Sequence, residues 1–200
     1  LVVVIDYGMG NLLSIKKALE FLGEEVVITD DEDVICSSNK LILPGVGAFP
    51  DAMYSIKKKR LDEIIYKELK KGKHLLGICL GMQLLFESSE EGGKNKGLGL
   101  LKGNVKYIET AEKVPHMGWN SLEIHRESQL LKGIKNGSFV YFVHSYYADT
   151  SFKEAVVATT RYGVEMPAVI EFENIHGVQF HPEKSGDVGL RILKNFKELI

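Results

Sequence analysis

Apolar positions follow two rhythms along the chain, and the change between them falls near the middle. Residues 1–6 open with a continuous apolar run bounded by Asp6, which predicts a buried strand. Leu12, Ile15, Leu19 and Leu22 then recur at helical spacing with Lys16, Lys17 and Glu20 outward, and Gly23 stops the helix. Val26, Val27 and Ile28 predict a second strand and residues 40–43 a third that ends at Pro44, with 30–39 as loop or a short irregular helix. From residue 51 to 71 apolar side chains return every three or four positions (Met53, Ile56, Leu61, Ile64, Ile65, Leu69), so a single surface helix closed by Gly72 is expected. Residues 73–78 predict the next strand and 82–86 the start of another helix. This alternation points to an α/β fold: a mostly parallel sheet with helices on both faces.

In the second half, segments 98–108, 121–125, 138–145, 154–161, 167–172 and 175–180 read as strands joined by short polar turns. Too little helix lies between them for parallel crossovers, so a mixed sheet or an appended antiparallel layer is expected to start near residue 98. Residues 189–200 predict a closing helix with Leu190, Leu193, Phe196, Leu199 and Ile200 as its apolar stripe. The sequence contains no internal repeat, low-complexity tract or long linker, and residues 1–200 read as one domain.

Composition narrows the function classes. A net charge of −2 gives no long-range attraction to nucleic acid or to an anionic membrane. The run Lys57, Lys58, Lys59, Arg60 is followed by Asp62 and Glu63 and reads as a solvated helix face. No apolar run approaches the roughly 18 residues of a membrane span, and the first residues lack the basic leader and small-residue cleavage site of a signal peptide. With 2 cysteines no disulfide framework is expected, and a reduced, cytoplasmic setting follows.

One of those cysteines sits where thiol chemistry is plausible. Gly77-Ile78-Cys79-Leu80-Gly81 lies between a predicted strand and a predicted helix and has the G-x-nucleophile-x-G form of an elbow. Small neighbours let the chain turn sharply, the thiol projects from the carboxyl end of the sheet, and helix-turn amides face it. The bland alternative is a small buried hydrophobe, the reading that Cys36 receives. For a base, His181 stands out in Gln179-Phe180-His181-Pro182-Glu183, because a carboxylate two residues on can accept the second ring N–H and fix the tautomer. His116 and His144 are rivals without a neighbouring carboxylate. Pro44-Gly45-Val46-Gly47 ends the third strand at the same sheet edge, where glycines around Val46 expose amides that can meet an oxyanion together with the Leu80 N–H. No other ligand spacing supports a metal site. Together these residues form a constellation for acyl transfer from a carboxamide.

At this point the chain resembles the class I glutamine amidotransferases, a flavodoxin-like three-layer α/β family with a Cys-His-Glu triad. Within it, five segments are most similar to the glutaminase subunits of imidazole glycerol phosphate synthases. They are Asp6-Tyr7-Gly8-Met9-Gly10-Asn11, Pro44-Gly45-Val46-Gly47, Gly77 to Leu85, Pro115-His116-Met117-Gly118-Trp119-Asn120 and His181-Pro182-Glu183-Lys184-Ser185. The resemblance implies Cys79 as nucleophile, His181 as base and Glu183 as orienter, with Val46 and Leu80 as oxyanion amides. It implies that Gly45, Gly47, Gln83, His144, Ser145 and Tyr146 help to hold glutamine, without any cofactor. It also implies an obligate (β/α)8 barrel cyclase partner that consumes the ammonia, contacted near Asn11, Met117, Trp119, Asn120 and Lys184. A paralogue feeding a surface-sugar amidation enzyme would carry the same catalytic residues, and a stand-alone cysteine hydrolase would share the elbow.

Overall fold

The computed structural model describes residues 1–199, so the expected stripe residue Ile200 lies outside the described residues. In chain order the elements are β1 (Val2–Ile5), α1 (Leu12–Phe21), β2 (Val26–Thr29), α2 (Glu32–Ser37), β3 (Lys40–Leu43), α3 (Phe49–Lys58), α4 (Leu61–Lys70) and β4 (His74–Ile78). There follow α5 (Leu80–Leu84), β5 (Phe86–Ser89), β6 (Asn95–Lys96), β7 (Leu101–Tyr107), β8 (His116–Ser121), β9 (Glu123–Ile124), β10 (Phe139–His144) and β11 (Tyr146–Asp149). The chain continues through β12 (Val156–Tyr162), β13 (Val164–Phe172), β14 (Ile175–Val178), a 3-10 turn at Pro182–Lys184, and α6 (Gly186–Glu198).

The main sheet runs β2-β1-β3-β4-β14-β13-β12-β9. Its first five strands pair in parallel, which is the flavodoxin-like order, and the last three are added antiparallel. Alternation along β1 divides the core into two layers. Val2 and Val4 pack with Ile15 and Leu19 of α1 and Ile192, Leu193 and Phe196 of α6. Val3 and Ile5 face Ile56 of α3 and Ile64 and Ile65 of α4. Helices therefore cover both faces, and β1, β3, β4 and β14 all end at one edge.

Three expectations change. The single helix over 51–71 is two helices, broken at Arg60 in the left-handed region (φ 56°). The apolar spacing already contained the slip: Ile56 and Leu61 are five positions apart, which no single helical face accommodates, and the break lets both be fully buried. The helix expected from residue 82 begins at Leu80 and is over by Leu84. Its last carbonyls are taken by the strap that follows, with Leu98 N–H donating to Leu84 O and Leu100 N–H to Leu85 O, so Phe86 enters a strand instead. The added portion consequently starts at residue 86, not near 98, as a mixed four-stranded sheet β11-β7-β5-β6, in which β5 and β7 pair in parallel, beside the antiparallel two-stranded β10-β8 ribbon.

Candidate active site

β4 delivers Cys79 to the sheet edge in a backbone conformation that L residues rarely adopt (φ 54°, ψ −111°). The two glycines that flank it are there because nothing larger fits. A Cβ on Gly81 would sit 1.8 Å from the Leu43 carbonyl oxygen, and one on Gly77 would sit 2.7 Å from the Gly81 carbonyl oxygen. The elbow thus packs directly on the end of β3. Gly45 is pressed between the Tyr7 hydroxyl and Leu80, and Tyr7 donates to the Pro44 carbonyl at 2.7 Å. Burial and the neighbouring Cys79 both push the Tyr7 hydroxyl well above its ordinary range, so it stays protonated and keeps that bond.

β14 runs parallel to β4 and carries the second half of the site. The His181 N–H donates to the Tyr141 carbonyl at 2.9 Å, and Ser185 Oγ donates to the His181 carbonyl, so the ring's backbone is tied to β10 and to the start of α6. Pro182 stiffens a 3-10 turn that swings Glu183 back, placing its Oε1 2.9 Å from His181 Nδ1. Both side chains are buried. Burial opposes a charged ring here, yet the Cys79 sulfur and the Glu183 carboxylate together outweigh it and push His181 up to about 10. The arrangement favours an imidazolium beside a sulfur nucleophile, with a carboxylate holding the ring by its other nitrogen.

A cavity of about 290 Å³ opens above the sulfur, lined by Val46, Gly47, Cys79, Leu80, Gln83, Glu91, Val143, His144, Ser145, Tyr146 and His181. The structure thus brings together residues that the sequence places on five separate segments. Gly45 is the exception among the residues expected to hold a substrate. It is buried under the elbow and does not line the cavity, because its lack of a side chain is used for the close approach to Leu80 and Tyr7.

Of the expected contact residues, Met117 and Trp119 are exposed on the outer face of the β8–β10 ribbon, and Lys184 is exposed beside Glu183. Asn11 donates from Nδ2 to Glu183 Oε1 at 3.3 Å. The Asn120 side chain points inward, donating to His116 Nε2 and the Arg161 carbonyl, because Asn120 lies on the opposite face of the strand from Trp119.

Two residues near the sulfur escaped the sequence reading. Gln179 is fully buried; its Nε2 approaches Cys79 Sγ at 3.7 Å and its Oε1 accepts from Gln83 Nε2 at 3.1 Å. Its position two residues before His181 was the available signal, since alternation along an extended segment places both on one side. Glu91 lines the cavity and caps α3 by accepting from Phe49 N–H at 2.9 Å, and no local pattern marked it. A larger open depression of about 770 Å³ lies around residues 124–136 and Glu171, with no cysteine in its wall. Among the described residues no three His, Cys, Asp or Glu side chains converge as a metal site, and no helix is long and apolar enough to cross a membrane.

Comparison with known proteins gives the family. The family model for "Glutamine amidotransferase class-I" matches residues 3–199, and the chain belongs to that family of enzymes. The chain is 56% identical over 197 residues to the imidazole glycerol phosphate synthase subunit HisH of Caldanaerobacter subterraneus subsp. tengcongensis, covering 98% of this chain and 97% of that one. It is 50% identical over 200 residues to the subunit of the same name from Bacillus mycoides, covering 100% and 95%. Among solved structures, a chain in the structure of PurLQS from Thermotoga maritima has the same fold, with a TM-score of 0.76 at 21% identity and coverage of 98% of this chain and 96% of that one.

Proposed function

We propose that this chain hydrolyses glutamine to glutamate and ammonia with Cys79, His181 and Glu183. The ammonia passes to a (β/α)8 barrel cyclase that makes imidazole glycerol phosphate and aminoimidazole carboxamide ribotide in histidine biosynthesis. The observation that carries the chemistry is the convergence of an elbow cysteine, a histidine raised to about 10, and the carboxylate 2.9 Å from that ring, all at one cavity. The relatives named above support the pathway.

In this mechanism the thiol proton passes to His181 and the sulfur attacks the side-chain carboxamide carbon of glutamine, forming a carbon–sulfur bond as the carbonyl becomes an oxyanion. The Leu80 and Val46 amides receive that oxyanion. His181 then returns its proton to the departing nitrogen, the carbon–nitrogen bond breaks, and ammonia leaves behind a thioester. Water, deprotonated by the same ring, cleaves the thioester to glutamate and restores the thiol. Glu183 holds the ring in the Nδ1–H tautomer throughout, and Asn11 steadies Glu183 in turn. Gln83, Gly47, Ser145 and Tyr146 hold the glutamine, with His144 behind them.

Ammonia released into neutral water becomes ammonium and loses its nucleophilicity, so hydrolysis is useful only beside a consuming site. The contact with the barrel is assigned to the exposed pair Met117 and Trp119, with Lys184 and Asn11 beside the triad. Residues 1–200 act as one amidotransferase domain in the reducing cytoplasm, where Cys79 remains a thiol.

The test is glutamate release from glutamine by the purified chain, alone and then with the barrel cyclase and its nucleotide substrate. A large rise only in the full mixture is expected. Cys79→Ala is expected to abolish glutamine-dependent synthesis while the complex still turns over on added ammonia; loss of the ammonia-dependent reaction as well would overturn the division of labour.

A further inference from the structure

Two buried histidines outside the triad are joined end to end. The β8–β10 pairing sets His116 opposite His144, and the rings meet with His116 Nδ1 3.0 Å from His144 Nε2. On its far side His144 Nδ1 lies 2.9 Å from the Tyr146 carbonyl oxygen. On the far side of His116, Nε2 lies 3.1 Å from Asn120 Nδ2.

With neutral rings, one arrangement of protons satisfies all three contacts. A carbonyl oxygen only accepts, so His144 carries its proton on Nδ1 and leaves a lone pair at Nε2. His116 must then donate from Nδ1 and present a lone pair at its own Nε2, which takes a hydrogen from the Asn120 amide. The orientation of that amide is set independently of the histidines: Asn120 Oδ1 accepts from the Ser121 N–H at 2.8 Å, and the second Nδ2 hydrogen goes to the Arg161 carbonyl at 2.9 Å.

Both rings are neutral at physiological pH, because burial holds His116 down at about 4 and His144 at about 3. The His116 ring is also clamped between Phe142 and Tyr162, with centroids at 4.7 and 4.2 Å and near-parallel planes, so it does not turn without losing both stacks.

The file of hydrogen bonds ends on the wall of the cavity. The Tyr146 carbonyl that accepts from His144 also accepts from Gln83 Nε2 at 2.7 Å, and the Val143 carbonyl accepts the Cys79 thiol in a long 3.8 Å contact. We infer that His116 and Asn120 are positioning residues for glutamine: the one-way file from Asn120 through His116 and His144 to the Tyr146 carbonyl fixes the His144 tautomer and holds the 143–146 wall in its receiving shape. The inference rests on the amidotransferase reading of that cavity. The file begins on the strand that exposes Met117 and Trp119, so a displacement of that strand reaches the wall without passing through Cys79, His181 or Glu183.

Two measurements decide it. Ring ¹⁵N spectra of the full chain at neutral pH are expected to show His116 and His144 both neutral and protonated at Nδ1; an Nε2–H tautomer at His144 overturns the file whatever the cavity binds. The second readout is alkylation of Cys79 by a diazoketone analogue of glutamine as a function of its concentration. His116→Phe keeps the aromatic stack and removes the donor, and is expected to raise the half-saturating concentration about 5- to 10-fold, the value of one net hydrogen bond, while the limiting rate is retained. His116→Asn, whose amide nitrogen falls near the Nδ1 position, restores tight saturation, and His116→Gln, which matches Nε2 instead, does not. The half-exposed Asn120→Ala is a milder version of the same change should His116→Phe fold poorly, with a smaller rise and a mixture of His116 tautomers. Unchanged saturation in these variants overturns the positioning role. A wild-type Cys79 that the analogue fails to alkylate overturns the amidotransferase reading and with it the role in glutamine binding, while the tautomer measurement still decides the file itself.

Discussion

His116 and His144 give the protein a titration whose sign is fixed by their burial. Unfolded rings gain a proton near pH 6.5, whereas the folded rings wait until about 4 and about 3. The contribution to stability is therefore complete above 6.5 and is lost as pH falls through that window, by about 1–2 kcal/mol per ring at pH 5. His181 acts in the opposite direction, since its folded value of about 10 means that its contribution is present below 6.5 and fades as pH rises toward 10. Urea denaturation at pH 5, 7 and 9 should show both limbs, with His116→Phe flattening the acid one and Cys79→Ala, which removes one cause of the raised value, flattening the alkaline one. The proposed catalytic residues were readable in sequence where they sit in short motifs, as Cys79 and His181 with Glu183 do. Gln179 and Glu91 were not, because their relation to the sulfur exists only once separate segments meet.

At the scale of elements, the elbow depends on the contact between α5 and the end of β3. Gly81→Ala would drive a Cβ to 1.8 Å from the Leu43 carbonyl oxygen, a backbone atom that cannot swing aside. The expected loss is about 3 kcal/mol, at the upper end for overpacking, read from the urea midpoint; Gly23→Ala, where a Cβ meets nothing within 4 Å but φ is +76°, should cost about 1 kcal/mol. Helical periodicity located α1 and α6 within a few residues because one face of each is buried. It failed between residues 51 and 71 because the period was carried through the phase slip at Lys59 and Arg60. It failed again after α5, where the buried run Leu84, Leu85, Phe86 is compatible with helix or strand and tertiary pairing decides.

The molecule as a whole places its candidate site where parallel strands end, at the edge shared by β1, β3, β4 and β14. The β8–β10 ribbon stands beside that edge with Met117, Trp119 and Phe139 all more than half exposed. An apolar face of that kind suits a partner's surface, so on the proposed assembly Trp119→Ala should weaken association with the barrel cyclase by about 2 kcal/mol, some thirtyfold in Kd. Alkylation of Cys79 by the glutamine analogue is the matching control, because Trp119 lies outside the cavity wall. The parallel half of the sheet could be drawn from sequence, since helix and strand alternate there and the crossover rules leave few choices. The mixed second half could not, because β5, β6 and β11 are short and partly polar, and their pairing is set by partners elsewhere along the chain.

The strained backbone at Cys79 sets two kinds of selection against each other. Glycine adopts φ 54°, ψ −111° without a steric penalty, whereas every side-chain-bearing residue is forced into it. The backbone alone therefore favours glycine there, and the proposed turnover is what would retain the cysteine. In a duplicated gene whose product had become a scaffold for its partner, position 79 would be among the first to drift, and glycine would be its destination: the nucleophile would vanish while the architecture that once presented it stayed whole.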